Sequence, residues 1–145
     1  MAHTLAPLTL AIVKPDAFAA GNAGNIVAHL EGQGFALRGA KVVHLSREQA
    51  QAFYEVHAQR PFYGSLVEFM TSGPCMPLAL EREDAVPYLR QVMGATDPAK
   101  ADEGTIRKLF ATSIEKNAIH GSDSAENAAV EMGRASCRER VSLNV

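Results

Sequence analysis

The chain has 145 residues, 47% of them hydrophobic, enough to bury a core without disulfides or structural metal. A formal charge of -2 excludes a nucleic-acid binder driven by general basic attraction, so cations that meet an anionic ligand must be gathered locally. Two cysteines, Cys75 in an apolar run and Cys137 in a polar one, do not make a disulfide framework, and a reducing, cytoplasmic setting is expected.

In chain order, Leu8 to Val13 predicts a short buried strand stopped by Pro15, with Lys14 emerging at its carboxyl end. No basic segment precedes it and the apolar run is short, so neither a signal peptide nor a membrane span is expected. Ile26, Val27 and Leu30 fall at helical spacing within Asn25 to Gln33, where Gly32 and Gly34 supply a stop. Phe35 to Leu45 alternates loosely and predicts a second, longer strand. Ser46-Arg47-Glu48-Gln49 has the form of a capping box, opening a helix with Ala50, Phe53, Tyr54 and His57 on one side and a break at Pro61. A second helix, from about Tyr63 to Thr71, completes a helical hairpin closed by Ser72-Gly73-Pro74. Cys75 to Leu80 predicts a third strand, and Glu83 to Met93 a helix with Pro87 in its first turns and Gly94 at its end. Ala95 to Lys116 has no strong period beyond local order near Thr105 to Phe110, and so long a segment in so small a domain predicts a functional loop. Ala118-Ile119 gives a last strand, and Ala125 to Met132 a helix capped by Asp123 or Ser124. This order is that of a split β-α-β sandwich, a mostly antiparallel sheet covered by helices.

The chemistry centres on Asn117-Ala118-Ile119-His120-Gly121-Ser122-Asp123-Ser124. An apolar pair ends a buried strand, the Gly-Ser-Asp-Ser run turns the chain into a helix, and His120 is left at the rim. An unperturbed imidazole, with a reference pKa of about 6.5, has a free lone pair at cytoplasmic pH and can attack phosphorus without a separate base. Taken alone, a histidine after an apolar pair is an ordinary structural residue, so its neighbours decide. Lys14, Arg90 and Arg107 each lie at or beyond the end of an element, where such scaffolds present side chains to ligands. Three cations suffice for one triphosphate, although each alone reads as a solvated charge. Thr96 before Asp97-Pro98 is an ordinary turn residue, and Tyr54 and Phe62 suit a core. There is no G-x-x-x-x-G-K-[ST] loop, and Gly32-Gln33-Gly34 runs into Phe35-Ala36-Leu37, which fails the dinucleotide fingerprint. The histidines and cysteines show no zinc spacing.

These residues also carry a resemblance. From Leu10 to about Met132 the chain resembles the nucleoside diphosphate kinases. The signposts are Ile12-Val13-Lys14-Pro15-Asp16-Ala17; Phe53-Tyr54-x-x-His57 with Arg60-Pro61-Phe62; Phe69-Met70-Thr71-Ser72-Gly73-Pro74; Gly94-Ala95-Thr96-Asp97-Pro98; Gly104-Thr105-Ile106-Arg107; and the octet around His120. The resemblance implies an α/β (α+β sandwich) fold of ferredoxin-like βαββαβ form. A four-stranded antiparallel sheet, an added helical hairpin and a long nucleotide-binding loop would make up one domain over residues 1–132. It implies a ping-pong enzyme that moves the γ-phosphoryl group of a nucleoside triphosphate, typically ATP, to a nucleoside diphosphate, with His120 as nucleophile. Lys14, Arg90, Thr96 and Arg107 would hold phosphates, Asn117 and Lys14 face the ribose, and Phe62 stack on the base. Stacking uses a π-face that every base has, which fits indifference to base identity. Glu131 and Ser122 would orient the imidazole, with Tyr54 beside the phosphohistidine. Mg2+ is implied as an ion carried on nucleotide phosphates rather than caged by the protein. A homo-oligomer, tetramer or hexamer, is also implied, with no stable nucleic-acid or membrane partner.

Two departures stand out. Asp97 replaces the family's usual asparagine, and its charge is expected to weaken nucleotide affinity slightly. After Met132 the usual hydrophobic end is replaced by a polar, basic stretch. Arg134, Arg138 and Arg140 against Glu139 give it +2, leaving -4 of the total -2 to residues 1–132. Residues 133–145 are therefore expected to be a non-native or disordered tail that weakens assembly. Two other readings remain at this point: a histidine phosphocarrier or signalling module phosphorylated by a protein partner, and a non-enzymatic scaffold or nucleic-acid binder on the same sandwich.

Overall fold

In the computed structural model, residues 8–122 are described; the expected last helix, Glu131 and the tail lie outside them. The first strand, β1 (Leu8–Val13), is followed by α1 (Pro15–Ala19), α2 (Ala23–Gly32) and β2 (Ala36–Ala40). Next come α3 (Arg47–Phe53), α4 (Tyr63–Met70), β3 (Met76–Glu81) and α5 (Ala85–Met93). A short α6 (Ile106–Phe110) and β4 (Ile119–Gly121) complete the described elements. The strands form one four-stranded sheet in the order β2-β3-β1-β4, antiparallel at every pairing. That order is the ferredoxin-like one expected: β1 lies between β3 and β4, neither of which follows it in the chain, so the connections cross over and carry helices onto the faces.

β1 is central because both of its faces are apolar. Ala11 and Val13 join a core with Ile26 and Leu30 of α2 and Leu89, Val92 and Met93 of α5. Leu10 and Ile12 point the other way, into a second core with Ala50 and Phe53 of α3, Tyr54, and Val67 and Met70 of α4. A strand buried on both sides reads as a continuous apolar run rather than an alternating one, as Leu8 to Val13 does. The helical hairpin is what closes the second face, and its capping box forms as the sequence predicts. Ser46 Oγ accepts from the Gln49 backbone N–H, and the Gln49 side chain accepts from Ser46 N–H.

Four expectations are corrected. Pro15 does not merely stop β1: it occupies the first turn of α1, where its missing N–H is an orphan anyway and its fixed φ suits a helix. The long second strand is shorter, because the pairing of β2 with β3 shifts register between Leu37 and Gly39, and only Val43 bridges back, to Cys75. The first hairpin helix ends at Phe53 and continues as a 3-10 turn, Glu55–His57. Finally, β4 spans Ile119–Gly121, so His120 lies inside the strand, opposite Ile12, rather than just past its end. No helix of the described residues is long and apolar enough to cross a membrane.

Candidate active site

Strand alternation aims His120. Ile119 is fully buried in the core with α5, and a Cβ on Gly121 would come 2.7 Å from Met93 Sδ and 3.0 Å from Leu89 Cδ2. A side chain at 121 would therefore have to displace the ends of Met93 and Leu89, and glycine lets β4 lie close on α5 without that shift. His120, between them, must face the hairpin, where its ring meets Phe53 and Tyr54 edge-on at 5.6 and 5.7 Å between centroids. The ring is half-buried against aromatic walls, which restrict its orientation while leaving a side open.

The chain reaches β4 through a strained turn. Ala118 has φ 75°, and the Ile119 N–H donates to Asn117 O at 2.9 Å, closing a γ-turn with positive φ. For a non-glycine residue this conformation costs about 1–3 kcal/mol and must be held by its surroundings. Two bonds hold it. Ala118 N–H donates to Asp16 Oδ2 at 3.1 Å, and Lys14 N–H donates to Ala118 O at 2.9 Å.

The cations lie around this turn. Lys14 is 6% exposed; its ammonium donates to Asn117 Oδ1 at 2.8 Å and Glu115 O at 3.2 Å, and sits 5.4 Å from the centre of the Phe69 ring. Burial pushes its pKa down to about 8; Asp16 and Glu115 oppose the shift and Arg107 adds to it. Arg107, in α6, is 8% exposed and donates to Gly94 O and to Ile119 O, the residue before His120. Burial, helped by the nearby Arg90, lowers its pKa to about 10, and among the described residues its Nε has no hydrogen-bond partner. Among the described residues neither cation has a carboxylate within ion-pair distance; the one such pair is Arg38–Glu81, on the surface. Buried positive charges with no carboxylate in ion-pair contact among the described residues are costly, and an anion bound between them relieves that cost.

Arg90 is exposed on α5 but close enough to act on Arg107 through its charge. Thr96 is exposed, and Asn117 Nδ2 reaches its carbonyl at 3.5 Å. Ser122 is buried, its N–H donating to Leu10 O at 3.2 Å. The sequence thus assembles His120, Tyr54, Lys14, Asn117, Arg107, Arg90, Thr96 and Ser122 around one end of the sheet. Phe62 stands apart, 48% exposed at the foot of α4 with its ring beside His57. Glu131 lies outside the described residues. Asp97 is explained locally: its Oδ1 accepts from Ala99 N–H at 2.9 Å and caps the 3-10 turn Pro98–Lys100, a cap that asparagine also makes. Sequence reading passed over Phe53 as a wall for His120 and Asp16 as the clamp on Ala118. A carboxylate directly after Lys-Pro was the available signal for the second, and alanine at 118 gives none for its positive φ.

Among the described residues no group of three or more His, Cys, Asp or Glu side chains is arranged to hold a metal. The arrangement suits binding a polyanion beside an open imidazole. The family model for nucleoside diphosphate kinase matches residues 8–135. The chain is 57% identical over 123 residues to a nucleoside diphosphate kinase of Chlorobaculum tepidum, covering 85% of this chain and 88% of that one. It is 55% identical over 125 residues to that of Chlorobium limicola, covering 86% and 89%. A crystal structure of the Aquifex aeolicus nucleoside diphosphate kinase superposes with a TM-score of 0.87 at 42% identity, covering 89% of this chain and 94% of that one. On the family match and these identities, the chain belongs to the nucleoside diphosphate kinase family and is an enzyme that transfers phosphoryl groups between nucleotides.

Proposed function

We propose that the transfer runs through a phosphohistidine on His120 in two half-reactions. In the first, a ring-nitrogen lone pair attacks the γ-phosphorus of a nucleoside triphosphate; the N–P bond forms as the P–O bond to the β-phosphate breaks, and the electron pair leaves on the diphosphate. In the second, a β-phosphate oxygen of another nucleoside diphosphate takes the phosphoryl group, and the lone pair returns to the ring.

Little covalent work remains for the protein, so its contribution is placement and charge. Lys14, Arg90, Thr96 and Arg107 bind the phosphates, and Arg107 Nε, which has no hydrogen-bond partner among the described residues, donates to one of them. Asn117 and Lys14 face the ribose, Phe62 stacks on the base, Tyr54 lies beside the phosphorylated ring, and Ser122 with Glu131 orients it. No protein side chain would be needed to hold Mg2+, which would come on the nucleotide phosphates and supply charge neutralisation there. The active protein is a cytoplasmic homo-oligomer whose working domain is residues 1–132, with 133–145 a non-native tail. The observation that carries the reading is the half-open imidazole of His120 near two buried cations that, among the described residues, have no carboxylate within ion-pair distance. The test is a chase. After incubation with γ-labelled ATP, the protein should hold an acid-labile, base-stable phosphate that any added nucleoside diphosphate releases as labelled triphosphate. Retention of label in the presence of diphosphates would contradict it.

A further inference from the structure

We propose, on the reading of His120 as the nucleophile, that Asp16 is a positioning residue for phosphoryl transfer: it clamps the left-handed turn that aims His120 and supplies negative charge beside Lys14. Ala118 separates Asn117 from the strand that carries His120, and it holds φ 75° without the freedom of glycine. Both of its backbone polar groups are tied to the Lys14–Asp16 segment, the N–H to the Asp16 carboxylate and the carbonyl to Lys14 N–H. Pro15 between them fixes the spacing, since its ring leaves φ no freedom. If Asp16 lets go, the turn is free to relax toward negative φ, and a relaxed turn rotates the strand that delivers the imidazole.

Burial raises the Asp16 pKa, while the charge of Lys14 and hydrogen bonds from backbone N–H groups, that of Ala118 among them, oppose the rise. The ionisable groups that face Lys14 are Asp16 from α1, Arg107 from α6 and Glu115 from the loop before β4. Glu68 of α4, Glu115 and Lys116 line the cleft into which Asp16 opens. Of these, Asp16 is the largest influence holding the Lys14 ammonium in its charged form against burial. One carboxylate therefore serves two groups of the site, the nucleophile through the turn and the phosphate cation through its charge.

The two roles separate by substitution. Asp16→Asn keeps an oxygen for the Ala118 N–H but not the charge; Asp16→Ala loses both; Ala118→Gly accepts the left-handed turn without a clamp. The readouts are the single-turnover rate of phosphoenzyme formation from γ-labelled ATP at neutral pH, the pH profile of kcat/KM, and thermal melts. Misplacement of the ring should slow labelling of Asp16→Ala about 10–100-fold. Adding Ala118→Gly to that variant should restore the rate to within about fivefold, since glycine takes φ > 0 without strain. Asp16→Asn should label at neutral pH within about threefold of the unmodified chain, while its alkaline limb moves to lower pH. Should Asp16→Ala fail to fold, the double variant still decides: folding and labelling support the clamp. Wild-type labelling in Asp16→Ala, or a double variant no better than Asp16→Ala, overturns the clamp, and an unmoved alkaline limb in Asp16→Asn overturns the charge. Failure of the unmodified chain to phosphorylate His120 would instead strike the nucleophile reading, which the ratios between variants do not test.

Discussion

The two faces of the sheet are packed by different chemistry. Against α2 and α5 the contacts are mainly aliphatic, with the Phe35 and Tyr88 rings beside them, and closed: Leu30, Leu89, Met93 and Ile119 are at most 2% exposed. Against the hairpin the wall is aromatic and unfinished: Phe53 and Tyr54 meet an imidazole that solvent still reaches. A single strand, β4, serves both, with Gly121 pressed on α5 and His120 turned the other way. The closed face backs the strand from which His120 projects, so its ring is held in place without being fully buried.

That contrast can be broken from either side. The largest effect is expected for His120→Ala, which should reduce phosphoenzyme formation by at least about 10³-fold. It should leave the fold standing, because each lost edge-on ring contact is worth only about 0.5–1.5 kcal/mol; labelling of acid-labile phosphate and a thermal melt read the two halves. On the closed face, Leu89→Ala should cost about 2–5 kcal/mol of stability in a urea melt, as expected for a fully buried leucine that leaves a cavity. Phe62 belongs to neither core. Phe62→Ala should raise nucleotide KM by the equivalent of about 1–3 kcal/mol of stacking, with kcat little changed and folding stability unaffected.

The smallest effect sharpens the electrostatics. With its pKa lowered to about 8, Lys14 loses its charge in the free enzyme above that pH, so kcat/KM should fall by up to about tenfold per pH unit on the alkaline side. Nucleotide phosphates favour the protonated form, so binding should take up a proton in that range, measurable by calorimetry in buffers of different ionisation heat. The stability sign is the reverse of the usual lysine case. Between about 8 and its ordinary 10.5, the unfolded chain holds the proton more tightly, so the lysine's contribution to stability rises with pH across that window.

Much of this was readable in the residues, for identifiable reasons. β1 showed as an apolar run because both faces are buried, and the capping box at Ser46 uses a local pairing that needs no tertiary help. The motif around His120 pointed to it as the nucleophile only through resemblance, and spacing alone left its role ambiguous. The turn at Ala118 was invisible, since nothing in an alanine signals positive φ, and its clamp lies 102 residues away in Asp16. The register shift in β2 and the short α1 were missed because one rests on pairing with β3 and the other on a proline that reads equally as a stop. Convergence of Lys14 and Arg107 likewise depends on the sheet order, which brings β1 and β4 side by side.

The most direct measurement is to map the phosphate. After brief reaction with a nucleoside triphosphate and proteolysis under alkaline conditions, the account requires the added phosphoryl mass on the peptide containing Asn117 to Ser122, with fragmentation assigning it to the ring of His120. Phosphate found on a serine or threonine, or on one of the other four histidines, would contradict it.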